Sequence, residues 1–248
     1  KDGKMYLKLV GQDVDALLAA RLTRIAYRLN PAPVLESLEH TQEMRSLAST
    51  LSSNPLHVSG SFLANLASML GLLHEKKIHD NQVEEARNDL KSIALEALKF
   101  DPEDIDAREY VRSAEMWQLI LAKFAALGGT AIPLPFDFLD RGYFHAEQSR
   151  HTEEDETSQR YAIHLKTKNL GGVRFEFILE KGTVYMKITC ERSSTAVTID
   201  AGLNELGKAL SFAGTLNARV FVGDAGSPGN SLVSQLGLEG GSILDRTV

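Results

Sequence analysis

Two histidines bracket the run His74-Glu75-Lys76-Lys77-Ile78-His79. The residue types are those of a helical zinc-protease motif, but the spacing is not. Imidazoles four apart share a helix face and a metal; five apart they point roughly 140° away from one another. The run reads as a solvent-exposed helix end. A second set, His145, Glu147, His151, Glu153, Glu154 and Asp155, could hold a divalent cation loosely. It is the only basis in the sequence for a metal-dependent hydrolase. Metal sites also need outer partners that fix the ligands, and in this hydrophilic run solvation is the simpler role. Cys190 is the single thiol. It shares strand parity with Val184, Met186 and Ile188, which predicts a buried, inert cysteine. His164, a candidate base for it, has the opposite parity to Tyr161, Ile163 and Leu165. Gly223-Asp-Ala-Gly-Ser-Pro-Gly229 has neither the Lys-Ser/Thr ending nor the long following helix of a phosphate-binding loop. No nucleophile elbow and no distinct carboxylate pair stand out. The expectation is no catalytic residue, no metal and no cofactor, in a protein that is not an enzyme.

The elements that would carry these residues fall into an α+β pattern. An N-terminal α-helical bundle over 1–127 is followed by a small β-β-α-β domain. A strand fits 4–10. Helices fit about 13–29, 33–52, 59–74, 80–99 and 106–127, broken at Asn30-Pro31, Asn54-Pro55, Asp101-Pro102 and Gly128-Gly129. Leu63, Leu66, Leu70 and Leu73 repeat at helical spacing, as core-facing stripes do. Residues 128–158 form a Pro-containing and acidic connector. Within it Ile132-Pro-Leu-Pro-Phe136 must be extended, and its aromatic residues should pack on something.

Residues 159–224 then alternate with period two. Tyr161, Ile163 and Leu165, then Val173, Phe175, Phe177 and Leu179, then Val184, Met186, Ile188 and Cys190 give three strands with one buried face. Lys181-Gly182 and Asn169-Leu-Gly-Gly172 turn between them. Ala196, Ile199, Leu203, Leu206 and Leu210 share a helix face, Gly214 is placed as the C-cap, and Leu216, Ala218, Val220 and Val222 give a last strand. Residues 225–248 read as a flexible tail.

Composition narrows the partners. The net charge of −6 argues against nucleic acid. No apolar run is long enough to span a membrane. Residues 159–224 nevertheless carry nine Lys or Arg against six Asp or Glu, an asymmetry that favours an acidic protein partner. The opening Lys1-Asp-Gly-Lys4 has no initiator Met and no apolar signal core, and reads as the start of a fragment.

One pattern is shared with a known family. Ile163-x-Leu165, then Leu170-Gly171-x-Val173, two alternating strands about a turn, then Leu206-x-x-x-Leu210 and Gly214 resemble the C-terminal domain of the flagellar hook-length control proteins. The resemblance covers about 161–224. The chain departs from many relatives in having Thr167-Lys-Asn169 where a proline commonly precedes the Leu-Gly step. Its upstream half is also helical where most members carry a long Pro/Gln-rich region.

The resemblance implies a non-enzymatic regulator of type III protein export in the bacterial cytoplasm, itself a candidate for export through that apparatus. Such a protein controls hook length and switches the export substrate by binding the cytoplasmic domain of the export-gate membrane protein. Hook or hook-cap subunits are further candidate partners. The residues expected to meet the partner are Leu170, Gly171 and Val173 in the turn, with Leu232, Val233 and Leu236 in the tail. The other readings are a generic bacterial protein-binding adaptor and the metal-dependent hydrolase.

Overall fold

The computed structural model describes residues 29–36, 45, 47–49, 51, 60–148 and 159–225. The expected strand at 4–10, nearly all of the expected helix at 13–29 and the tail beyond 225 lie outside them.

Helices come first: α1 (Ala32–Glu36), α2 (Gly60–Met69), α3 (His74–His79), α4 (Val83–Arg87), α5 (Leu90–Phe100) and α6 (Ile105–Ala126). Two helices expected as continuous are divided. The run 59–74 stops at Met69, and Gly71 follows at a φ of +74°, a conformation that takes the chain out of the helix. The run 80–99 breaks before Asp89, whose carboxylate accepts from the backbone N–H of Ser92 (2.9 Å) and so starts α5 afresh. Asp104 caps α6 in the same way through Ala107 (3.0 Å). Tyr110, Ala114, Trp117, Ile120 and Phe124 recur every three to four residues along α6 and are all buried.

The strands β1 (Gly129–Pro133), β2 (Arg141–Gln148), β3 (Gln159–Thr167), β4 (Gly171–Glu180), β5 (Thr183–Cys190) and β6 (Thr215–Val222) form one six-stranded sheet in chain order. Neighbours are antiparallel up to β5. The crossover helix α7 (Ser193–Ala209) then lays β6 parallel to β5. The architecture is mixed α/β. Residues 129–133 and 141–148, expected as connector, supply the first two strands of the sheet. Pro133 is tolerated because β1 is an edge strand, where a missing N–H costs no ladder bond.

The register sorts the side chains onto two faces. Tyr143, His145, Ala162 and His164 point to the face under α6, where Trp117 meets Tyr143 (6.4 Å between rings) and Phe124 meets His145 (5.8 Å). Val173, Val184, Met186, Ile188 and Cys190 point to the other face and form a second core with Ala196, Leu203, Leu206 and Leu216. The expectation of one buried face therefore holds for β5 but not for β3. On β3 the supposedly outward His164 is 1 % exposed, because α6 covers the side opposite to α7.

Gly214 is not the C-cap of α7. The helix ends at Ala209 with Leu210 as its cap, and Gly214 lies four residues on at a φ of +130°. A Cβ there would sit 1.9 Å from the carbonyl oxygen of Gly182. The next residue, Thr215, donates its N–H to that same oxygen at 2.9 Å. Gly214 is thus required by the close approach of the α7–β6 connection to the β4–β5 turn.

Candidate recognition site

The β3–β4 turn is held from outside by three side chains. Gly171 takes a φ of +74°, which only glycine adopts readily. The carboxylate of Glu191 accepts from the N–H of Gly172 (2.7 Å). The guanidinium of Arg192 donates to the carbonyl of Asn169 (2.7 Å), and the hydroxyl of Thr195 donates to that of Leu170 (2.7 Å). Thr167 closes the turn from its other side, its hydroxyl accepting from the N–H of Leu170 (2.9 Å). A side chain on Gly172 would run into the Glu191 carboxylate, 2.6 Å away. The double glycine therefore serves two ends, one conformational and one steric.

This clamp decides which of the expected contact residues can reach a partner. Leu170 is 41 % exposed on a turn whose backbone is fixed on both sides. Gly171 is buried, and Val173 is buried in the core beneath α7. Of the three turn residues Leu170 alone presents a side chain. Leu232, Val233 and Leu236 lie outside the described residues.

The residues weighed for catalysis are scattered. His79 is exposed, as expected of a helix end, but His74 is buried. Its Nδ1 lies 3.1 Å from Asp89 Oδ2, and Lys77 Nζ is 3.4 Å from the same oxygen. Lys77 also donates to the carbonyls of Ser68 (3.0 Å) and Glu85 (3.3 Å). Alongside, the buried Lys91 bonds Gln118 (2.9 Å) and Glu75, and Gln118 donates to the carbonyl of Gly71 (2.9 Å). Burial acts to raise the Glu75 carboxyl, but its bonds to Lys91 and to its own backbone N–H outweigh that and hold it below its ordinary value. This polar network ties α3 to α5 and α6. Sequence spacing missed it because its members come from separate helices; the one local signal was Asp89 placed three residues before Ser92.

Cys190 is fully buried, and burial pushes its thiol pKa up, the opposite of what a nucleophile needs. His164 stacks on Tyr143 (4.5 Å between rings) and lies 5.9 Å from the ring of His145. Neither of its ring nitrogens has a hydrogen-bond partner. Burial first, then the charges of His145 and Arg174, hold its pKa down at about 3. It is a neutral core residue at physiological pH. Among the described residues no group of three or more His, Cys, Asp or Glu is placed to hold a metal. His151, Glu153, Glu154 and Asp155 lie outside them.

A further feature is the face of β3–β6 that no described element covers. It carries a groove of about 860 Å³ lined by Arg160, Glu176, Tyr185, Lys187, Arg219 and Phe221 among others. Glu176 is ion-paired with Arg174 (3.3 Å) and, more loosely, with Lys187 (3.9 Å). Lys187 Nζ also lies 5.8 Å from the centre of the Phe221 ring, within cation–π range.

No family model, no curated protein and no solved structure matches the chain. No helix among the described residues is long and apolar enough to cross a membrane.

Proposed function

We propose that this protein is a non-enzymatic regulator of type III protein export. In this reading it controls hook length and switches the export substrate by binding the cytoplasmic domain of the export-gate membrane protein. It works in the bacterial cytoplasm and is itself a candidate for passage through the apparatus, with hook or hook-cap subunits as further partners. The finer architecture of this reading is a helical bundle followed by a β-β-α-β recognition domain.

The observation that carries the proposal is the clamped Leu170 turn. Three side chains from the β5–α7 junction are spent on immobilising a surface loop that exposes one apolar side chain. A loop fixed before binding loses little entropy on docking, and an exposed, rigid apolar residue is the kind of anchor that dominates small interfaces. The turn is also the Leu-Gly-x-Val step on which the family resemblance rests. The mechanism is binding that favours one conformation of the partner over another; no covalent step is involved.

The test is titration calorimetry of the 248-residue chain against a purified export-gate cytoplasmic domain. Saturable binding is expected, weakened roughly tenfold or more by Leu170→Asp. Because Leu170 is exposed, the variant should melt as the parent does. Failure of the unmodified chain to bind would dispose of the export reading. Binding untouched by Leu170→Asp would remove the turn from it.

A further inference from the structure

The groove on the β3–β6 face holds charges that the described residues leave unbalanced. Lys187 and Arg219 are direct partners across the β5–β6 pairing. Like charges directly opposite on neighbouring strands are destabilising, so the sheet carries this pair at a cost. Arg160 stands two strands away, at the edge of the same groove. Arg160 and Arg219 have no ion-pair partner among the described residues. The one carboxylate lining the groove among the described residues, Glu176, is already shared between Arg174 and Lys187. Two large side chains beside the cations are left partly in water: Tyr185, 46 % exposed, in the same cross-strand row as Arg160, and Phe221, 44 % exposed, beyond Arg219 on the other side. All of this belongs to a chain whose overall charge is −6.

We propose that this groove binds an extended acidic segment of a partner protein. Lys187 and Arg219 hold one carboxylate, Arg160 a second, and Tyr185 covers an apolar side chain between the two. Strand spacing puts Lys187 and Arg160 about 12 Å apart. Two carboxylates about 13 Å apart suit them, which is four residues of extended chain, and the even spacing keeps both on one face. The fitting sequence is an acidic residue, three intervening residues of which the middle one is apolar, and a second acidic residue.

The same surface fits a nucleic-acid strand less well. Stacking of successive bases needs free aromatic faces, and Lys187 already lies over the Phe221 ring. A cation pair and a third cation about 12 Å off also match two carboxylates better than a continuous phosphate track. The proposal is independent of the export reading, since it uses no residue of the Leu170 turn and asks nothing of the partner's identity.

Fluorescence anisotropy with the full chain tests it. The probe is a fluorescein-labelled peptide, Ser-Asp-Thr-Leu-Thr-Asp-Ser, compared with the same peptide carrying Asn for Asp and with a short oligothymidylate. The acidic peptide should bind saturably below about 1 mM. Its affinity should fall roughly tenfold with Arg219→Glu, and again with Arg160→Glu. It should fall further as salt is raised and should not change with Leu170→Asp. A peptide with Lys for Asp should bind the Arg219→Glu variant better than it binds the parent. Both exchanged side chains are exposed, and an unchanged melting temperature will show that the variants fold. Equal binding of the Asn peptide, indifference to both charge reversals, or no saturable binding would overturn the proposal. Tighter binding of oligothymidylate than of the acidic peptide would also overturn it, in favour of a nucleic-acid surface.

Discussion

His164 should make the stability of this protein depend steeply on pH, in a range where few other groups act. The imidazole is 1 % exposed, stacked on Tyr143, and flanked by His145 on β2 and Arg174 on β4. Neither nitrogen is hydrogen-bonded. Its pKa falls from the ordinary 6.5 to about 3 in the folded protein. The unfolded chain therefore takes up the proton first. Stability is complete above about pH 6.5 and is lost as the pH falls from there toward 3, after which both states are protonated and the loss levels off. One pKa unit corresponds to about 1.4 kcal/mol, so the full loss is of order 5 kcal/mol. Between pH 7 and pH 5 it amounts to about 2 kcal/mol. Against a typical domain stability of about 5–15 kcal/mol, that is large.

The perturbation is His164→Phe, which keeps a flat ring against Tyr143 and removes both unpartnered nitrogens. Urea denaturation of parent and variant at pH 7 and pH 5 gives the four stabilities required. The parent should lose about 2 kcal/mol more than the variant over that interval. At pH 7 the variant should be at least as stable as the parent, since a buried polar atom without a partner costs about 1–3 kcal/mol. Exposed histidines such as His79 are present in both proteins and cancel in the comparison. Parallel pH profiles for the two proteins, or an NMR titration placing the His164 ring near 6.5 in the folded state, would refute the reasoning.

Three further outcomes follow from the packing. Asp89→Ala removes the carboxylate that faces Lys77 and His74 and caps α5, and should cost about 3–5 kcal/mol by leaving a buried ammonium unpaired; chemical denaturation reads it. Gly214→Ala places a methyl group 1.9 Å from the Gly182 carbonyl and should lower the melting temperature by about 5 °C or more, whereas Gly202→Ala, where a Cβ meets nothing within 4 Å, should raise it slightly. Glu191→Ala should free the Gly172 N–H and speed proteolysis or amide exchange at 169–172 while β5, which ends at the residue before Glu191, keeps its protection.

How much of this was legible in the sequence depended on whether the signal was local. The alternation through Val184, Met186, Ile188 and Cys190 and the stripe Ile199, Leu203, Leu206 and Leu210 lie within single elements, and their buried faces are where the pattern puts them. Cys190 followed from the same parity. What failed was long-range. His164 looked outward because Tyr161, Ile163 and Leu165 claimed the inner face; nothing nearby in sequence announces that α6 covers the other side. β1 and β2 were taken for connector because Pro133, Pro135 and the acidic run mask a strand pattern only five and eight residues long. His74 was taken for a solvated residue because its partner Asp89 is fifteen positions on. In the candidate site, the exposure of Leu170 followed from its place in a turn, but the Glu191–Arg192–Thr195 clamp required knowing that the start of α7 returns to that turn.

The two cores lie on opposite faces and toward opposite ends of one sheet, and this diagonal arrangement determines what the protein can offer to others. The helical half covers β1 to β3 from one side, and α7 covers β4 to β6 from the other. β3 and β4 join the layers, with His164 turned toward the first core and Val173 toward the second. A sheet covered twice along its whole width would bury both faces and leave only loops for recognition. Covered diagonally, it leaves the β3–β6 groove open among the described residues, with the clamped turn at the other end of β3. A partner that engaged both would touch residues on every strand from β3 to β6 and the start of α7. Because β3 carries residues of the helical core, such a contact would also bear on the packing of α6.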